Sequence, residues 1–199
     1  MAETAAFPEN RSLSGAKLAQ APLELEGLAA LLRELGATSF LEVGSRHGDT
    51  LFELALMVPS LTRFMAIDLP GGRWGRRGSD GNLDRAAWIL RRLGHSAQVH
   101  YGRSLDAGIV EAARKAAPWD FVLIDADHTY KGVKGDWDVY GPMARQAVAF
   151  HDIVGEGKRN ITGLKIEVPR LWRELKAEGR EVREFVDPPA RMGIGVLLV

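Results

Sequence analysis

Apolar positions along the chain fall into two kinds of pattern. Short continuous runs at 39–43 (SFLEV), 63–68 (RFMAID), 97–101 (AQVHY), 120–125 (DFVLID) and 147–151 (AVAFH) have the length of buried strands. Between them apolar residues recur every three or four positions. Leu25, Leu28, Leu31, Leu32 and Leu35 keep this helical spacing up to Gly36, a residue that ends helices because it takes a left-handed backbone at little cost. The stretches 49–58, 82–94, 105–117 and 168–179 read as helices too, with Asn82 as a cap, Gly94 as a stop and Pro169 in a first turn. A further helix is expected over 130–146, with Trp137 and then Trp172 at apolar positions that pack into the core. Two closing strands, joined by a Pro-rich turn, are expected within 181–199. Residues 1–22 are polar and aperiodic and read as a loose arm, and 69–81 is a Gly- and Arg-rich loop. The alternation of strand and helix from 25 to 180 predicts an α/β domain, a parallel sheet with helices on both faces. No repeat or linker divides it, so residues 1–199 form one domain.

Composition narrows the partners. A chain of 199 residues suits one well-buried core. Its 26 Lys+Arg balance 26 Asp+Glu, so no net charge draws it to nucleic acid or a membrane surface, and neither is expected as a partner. The absence of cysteine excludes disulfides, iron–sulfur clusters and thiolate zinc sites. The first residues lack a basic-then-apolar signal, and no apolar run is long enough to span a bilayer, so a cytoplasmic location is expected. Assembly with further copies of the chain is left open.

The strand ends carry the chemistry. In a sheet of this kind ligands bind beyond the carboxyl ends of the strands, and those ends read EVGSRHG, IDLP, YGRS, IDADH and HDI. Gly44 and Gly48 frame a turn from strand to helix, where free N–H groups can face an anionic group. Glu42 stands just ahead. The turn lacks the middle glycine of a dinucleotide fingerprint, which argues against a pyrophosphate lying on it. Asp68 ends the next strand, where a carboxylate can accept from ribose hydroxyls. Each piece alone could be an ordinary turn. The stretch after Val122, Leu123 and Ile124 is harder to dismiss, because a buried strand has no structural use for Asp125, Asp127 and His128 together.

In order, E-x-G-x-x-x-G after the first strand, an acid after the second and a small polar residue after the third resemble class I S-adenosylmethionine-dependent methyltransferases. The resemblance spans 38–199 and implies a doubly wound, Rossmann-like, seven-stranded mixed sheet whose last strand is antiparallel. It implies that Glu42, Gly44, Ser45 and Gly48 shape the pocket for the amino acid part of S-adenosylmethionine, that Asp68 holds the ribose, and that Ser104 lies near the adenine. IDADHTY followed by AFHDI is similar to the metal-dependent O-methyltransferases, both the catechol-like group and the group acting on sugars of natural products. That similarity makes Asp125, His151 and Asp152 ligands of a divalent cation and His128 the general base. An imidazole with a pKa near ~6.5 can take a hydroxyl proton at neutral pH. Carboxylate and water ligation favours magnesium. His151 stands where many relatives have an acid or amide, and imidazole suits manganese, iron or zinc better. The implied acceptor is a small molecule offering two adjacent oxygens: a sugar or other natural-product hydroxyl, or a catechol.

Two other readings compete. Asp125, His151 and Asp152 could form a metallohydrolase centre with an activated water, or the fold could bind a cofactor without turnover. Asp127 reads as solvated or cofactor-facing. Arg73, Arg76 and Arg77 could clamp an anionic substrate, but read more simply as loop surface.

Overall fold

The computed structural model describes residues 20–70, 79–155, 158–159, 163, 165–187 and 192–199. Arg73, Arg76 and Arg77 lie outside these, as do residues 1–19. Among the described residues seven strands form one sheet in the order β3-β2-β1-β4-β5-β7-β6. They are β1 (Ser39–Val43), β2 (Arg63–Asp68), β3 (Ser96–Tyr101), β4 (Trp119–Ile124), β5 (Ala144–His151), β6 (Val182–Phe185) and β7 (Ile194–Leu198). β1 to β5 pair in parallel, and β7 enters antiparallel between β5 and β6. The doubly wound sheet with an antiparallel last strand is as expected.

Among the described residues six α-helices cover the two faces: α1 (Pro22–Glu34), α2 (Asp49–Met57), α3 (Ser79–Arg92), α4 (Ala107–Ala116), α5 (Tyr130–Tyr140) and α6 (Val168–Ala177). Side chains alternate across a strand, so each strand feeds both layers. Phe40, Phe121, Leu123, Ala147 and Ala149 pack under α1, α2 and α3. Leu41, Val43, Val122, Ile124, Val148 and Phe150 pack under α4, α5 and α6. These side chains are buried, and a fully buried side chain of this size contributes about 1.5–3 kcal/mol. Trp172 is buried, and Trp137 and Trp172 flank the Phe150 ring at 5.7 and 6.0 Å. Both belong to the core, as read from the sequence.

Two boundaries differ from expectation. α3 begins at Ser79, so Asn82 lies inside its first turn and cannot cap it; its Nδ2 instead lies 3.3 Å from His47 Nδ1. The helix expected over 130–146 stops at Tyr140, where Gly141–Met143 tightens into a single 3₁₀ turn containing Pro142. Proline cannot continue the hydrogen-bond ladder, and β5 therefore starts earlier, at Ala144. No helix among the described residues is long and apolar enough to cross a membrane.

Candidate active site

β1 to β5 run in one direction, so the turns that leave them lie along one edge of the sheet. From β1 the chain winds outward through β2 and β3, then crosses back to β4 on the other flank of β1. The winding reverses between the carboxyl ends of β1 and β4, the position at which sheets of this kind bind ligands. Among the described residues, each candidate at a strand end lies in or beside a turn on this edge.

The turn after β1 is held against the turn after β4. Gly44 has φ +98° and donates its N–H to Ile67 O at 2.8 Å. A Cβ at Gly44 would lie 2.2 Å from the Asp125 carbonyl oxygen, so only glycine lets the two turns touch. Gly48 (φ +76°) stands at the N-cap of α2, and a Cβ there would lie 2.9 Å from both Ala86 Cβ and Leu83 Cδ1. Arg46 between them has φ +47°, a left-handed conformation that costs a non-glycine residue energy and recurs at functional sites.

Strand alternation turns Glu42 into the same layer as Phe40, where it is buried beneath this turn. Its Oε2 has no hydrogen-bond partner. Burial pushes its carboxyl up to about 8, Asp125 adds to the effect, and the Ser45 and Thr50 hydroxyls oppose it. Ser45 also donates to the Glu42 carbonyl at 3.3 Å. A buried carboxyl with one unanswered oxygen suits a ligand that brings a positive N–H group.

Further along the edge, Asp68 closes β2 half-buried, with Oδ1 accepting from Leu69 N–H at 2.6 Å. Ser104 follows β3, half-buried, and its carbonyl accepts from the Tyr140 hydroxyl. Beneath it lies a residue the sequence did not single out. Asp136 of α5 is fully buried, and neither of its carboxylate oxygens has a hydrogen-bond partner. Burial raises its carboxyl to about 6.

At the ends of β4 and β5 four ionisable side chains meet. His128 Nε2 lies 3.1 Å from Asp125 Oδ1 and 3.1 Å from Asp152 Oδ2. His151 Nδ1 lies 3.4 Å from the same Asp125 oxygen and 3.9 Å from Asp152 Oδ1. One ligand atom each from Asp125, His128 and Asp152 fall within 4.8 Å of one another. Asp152 holds φ +61°, so the carboxylate that closes this group sits on left-handed backbone.

The electrostatics differ from the simple expectation for His128. Burial pulls its pKa down, but hydrogen bonds to Asp125 and Asp152, and their charges, carry it up to about 10 rather than ~6.5. Burial likewise opposes a charge on His151, yet Asp125, Glu24 and Asp152 hold it well above the ordinary imidazole range. Asp125 is raised by burial and lowered more strongly by the two imidazoles, ending well below the usual carboxylate range. The two imidazoles place positive charge beside these acids. One ligand atom each from Asp125, His128 and Asp152 lies close enough to the others to fit a divalent cation, with His151 beside them.

The backbone carrying His128 is fixed at both ends. Asp127 Oδ1 accepts from Thr129 N–H at 2.9 Å, and Thr129 caps α5 by accepting from Gly132 N–H at 3.1 Å. Asp127 is exposed, as expected, and also packs on α5, since a Cβ at Gly132 would lie 2.2 Å from its Cγ. From the far side, Glu167 donates its N–H to His128 O at 2.8 Å, and its carboxylate accepts from Tyr130 N–H at 3.0 Å. Glu24 of α1 is the last unforeseen member, its Oε2 lying 3.5 Å from His151 Nε2. Both glutamates are distant in sequence, and each reads there as a charge at a helix start; only the spacing of Glu24 behind Ala21 hints at a backbone contact.

Comparison with known proteins bears on the family and the fold. The family model described as "Methyltransferase domain" matches residues 41–153. A solved O-methyltransferase from Bacillus cereus, in complex with SAH, is similar with TM-score 0.66 and 18% identity, over 90% of this chain and 82% of that one. The O-methyltransferase TomG from Streptomyces achromogenes, involved in tomaymycin synthesis and solved with SAM, is similar with TM-score 0.66 and 20% identity, over 94% and 83%. At such identities the likeness is one of fold. No curated protein sequence matches the chain.

Proposed function

Since the chain belongs to the methyltransferase domain family, we propose that it moves the methyl group of S-adenosylmethionine to an oxygen of a small hydroxylated acceptor, with a divalent cation at the acceptor site. One observation supports this above the others: Gly44 brings the glycine turn after β1 into contact with Asp125, so the cofactor-type turn and the acid–imidazole cluster form one site. A hydrolytic centre would leave that contact and the buried Glu42 without a use.

In this reading Glu42, Gly44, Ser45 and Gly48 receive the amino acid part of the cofactor. The unpartnered oxygen of Glu42 answers its ammonium group. Asp68 accepts from the ribose hydroxyls, and Ser104 borders the adenine. Asp125, His151 and Asp152 hold the cation, and His128 is the base. When bound, the cation supplies positive charge to the acceptor oxygen and to the two carboxylates that otherwise retain the His128 proton. His128 then takes the hydroxyl proton at Nε2, the oxygen forms its bond to the methyl carbon, and the carbon–sulfur bond breaks to leave S-adenosylhomocysteine. The fixed backbone on both sides of His128 keeps its ring at one place during transfer. Of the candidate cations, a site with imidazole and carboxylates accepts manganese as readily as magnesium. Two adjacent acceptor oxygens suit such a centre, which favours a sugar diol or other natural-product hydroxyl, with a catechol second.

The test uses titration calorimetry with S-adenosylmethionine, S-adenosylhomocysteine and NAD, then methyl transfer to diol and catechol acceptors with and without chelator. The adenosyl ligands should bind and NAD should not. Chelator should abolish transfer and leave cofactor affinity nearly unchanged. Failure of both adenosyl ligands to bind would end the reading, and full activity after exhaustive demetallation would remove the cation from it.

A further inference from the structure

α1 lies outside the segment that matches the family model, yet it sends one carboxylate into the site. Alternation along β5 places His151 in the same layer as Ala147 and Ala149, the layer covered by α1. There it meets Glu24, which is entirely buried, as is nearly all of His151. Glu24 Oε2 accepts from Ala21 N–H at 3.1 Å and lies 3.5 Å from His151 Nε2. Its other oxygen, Oε1, has no hydrogen-bond partner. The opposite edge of the imidazole presents Nδ1 to Asp125 and Asp152.

Helix capping alone does not explain this arrangement. The Ala21 N–H needs one acceptor only, and a carboxylate with an unpartnered oxygen is expensive to bury. A carboxylate set against one nitrogen of an imidazole fixes the ring and its orientation, and leaves the other nitrogen to face a cation. We propose that Glu24 is a positioning residue that holds His151 so that Nδ1, and not Nε2, serves the divalent cation alongside Asp125 and Asp152. The proposal rests on the cation reading above, and it assigns a role in the site to the helix that precedes the first strand. It also accounts for a histidine at this position: its Nε2, which has no hydrogen-bond partner, faces the Glu24 carboxylate at 3.5 Å while Nδ1 faces the acids.

The experiment is Mn²⁺ binding to the full chain with S-adenosylhomocysteine present, followed by calorimetry and by loss of the free-ion paramagnetic resonance signal. Wild type is compared with Glu24→Gln, His151→Ala and the double variant. Gln retains an oxygen for Ala21 N–H and nearly the same volume, so the melting temperature reports whether the cap survives. Glu24→Gln should weaken Mn²⁺ binding roughly 10–100-fold, the usual effect of losing a partner behind a metal-bound imidazole, with cofactor affinity unchanged. In the His151→Ala background the same substitution should change Mn²⁺ affinity by less than about twofold, since coupled residues are not additive. Equal losses in the two backgrounds would mean that Glu24 acts through its charge alone and would overturn the proposal, as would unchanged Mn²⁺ affinity in Glu24→Gln. If that variant does not fold, Glu24→Asp reads the same quantity, because the shorter carboxylate cannot span Ala21 and His151 together. Absence of Mn²⁺ binding by wild type would instead overturn the cation reading itself, and this proposal with it.

Discussion

Gly44→Ala places one methyl group where the turns after β1 and β4 touch. The new Cβ would stand 2.2 Å from the Asp125 carbonyl oxygen, 2.5 Å from its carbon and 2.7 Å from the Ala126 nitrogen. All three are backbone atoms, so no side chain can swing aside, and the turns must part by roughly 1 Å to restore ordinary contact. The left-handed φ of +98° adds about 1–2 kcal/mol for a residue with a Cβ, and overpacking of this kind adds about 1–3 kcal/mol. A total of about 2–5 kcal/mol should lower the melting temperature by about 5–20 °C in a chain of this length. The same displacement moves Asp125 against the cofactor turn, and a 1 Å misplacement of reacting groups costs on the order of 10²-fold in rate. Gly36→Ala is the control. Gly36 also has positive φ (+61°), but nothing lies within 4 Å of the point a Cβ would occupy there. It should therefore lose only the backbone part, about 1–2 kcal/mol, and bind S-adenosylhomocysteine normally. Thermal melts and calorimetry on both variants suffice. If they lose equal stability and both bind the ligand as wild type does, the contact between the two turns is not what Gly44 is for.

Three further outcomes are expected. Asp68→Ala should weaken S-adenosylmethionine binding by about 1.5–3 kcal/mol, the scale of hydrogen bonds to a charged group, and leave Mn²⁺ affinity unchanged; calorimetry showing equal cofactor affinity would remove the ribose role. His128→Gln should lower kcat roughly 10²–10⁴-fold with little change in acceptor KM, whereas near-normal turnover would place the base elsewhere. Glu42 is held at about 8 by burial against an ordinary 4.5, so the folded state binds its proton more tightly than the unfolded state. Its ionisation therefore costs stability progressively as pH rises from about 4.5 to 8, and the cost is constant above that. Denaturant titrations should show Glu42→Gln gaining on wild type across that window, by on the order of 4 kcal/mol at its top; a difference that does not vary with pH would mean that Glu42 is not buried as an acid.

The strands and helices are legible in the chain because they depend on local rules. Short β-rich runs bounded by glycine and proline suit strands, and leucines at helical spacing suit a helix facing a core. Where a local rule is outweighed, expectation and structure part: Asn82 has the character of a cap although α3 begins at Ser79, and Pro142 ends a helix that the apolar spacing would carry further. The site is legible as a set of strand ends, since a parallel sheet delivers those ends to one edge whatever the loops contain. Distances between side chains far apart in sequence are not legible. Gly44 must be glycine because Asp125 crosses it, and His128 sits between two acids and is raised by them. Glu24 and Glu167 reach the site from α1 and from the segment before α6. All of these are matters of packing. Strand order and side-chain alternation, both written in the chain, set which groups could reach that edge. Which of them touch was left to the folded molecule, because those contacts join turns whose positions depend on the whole sheet.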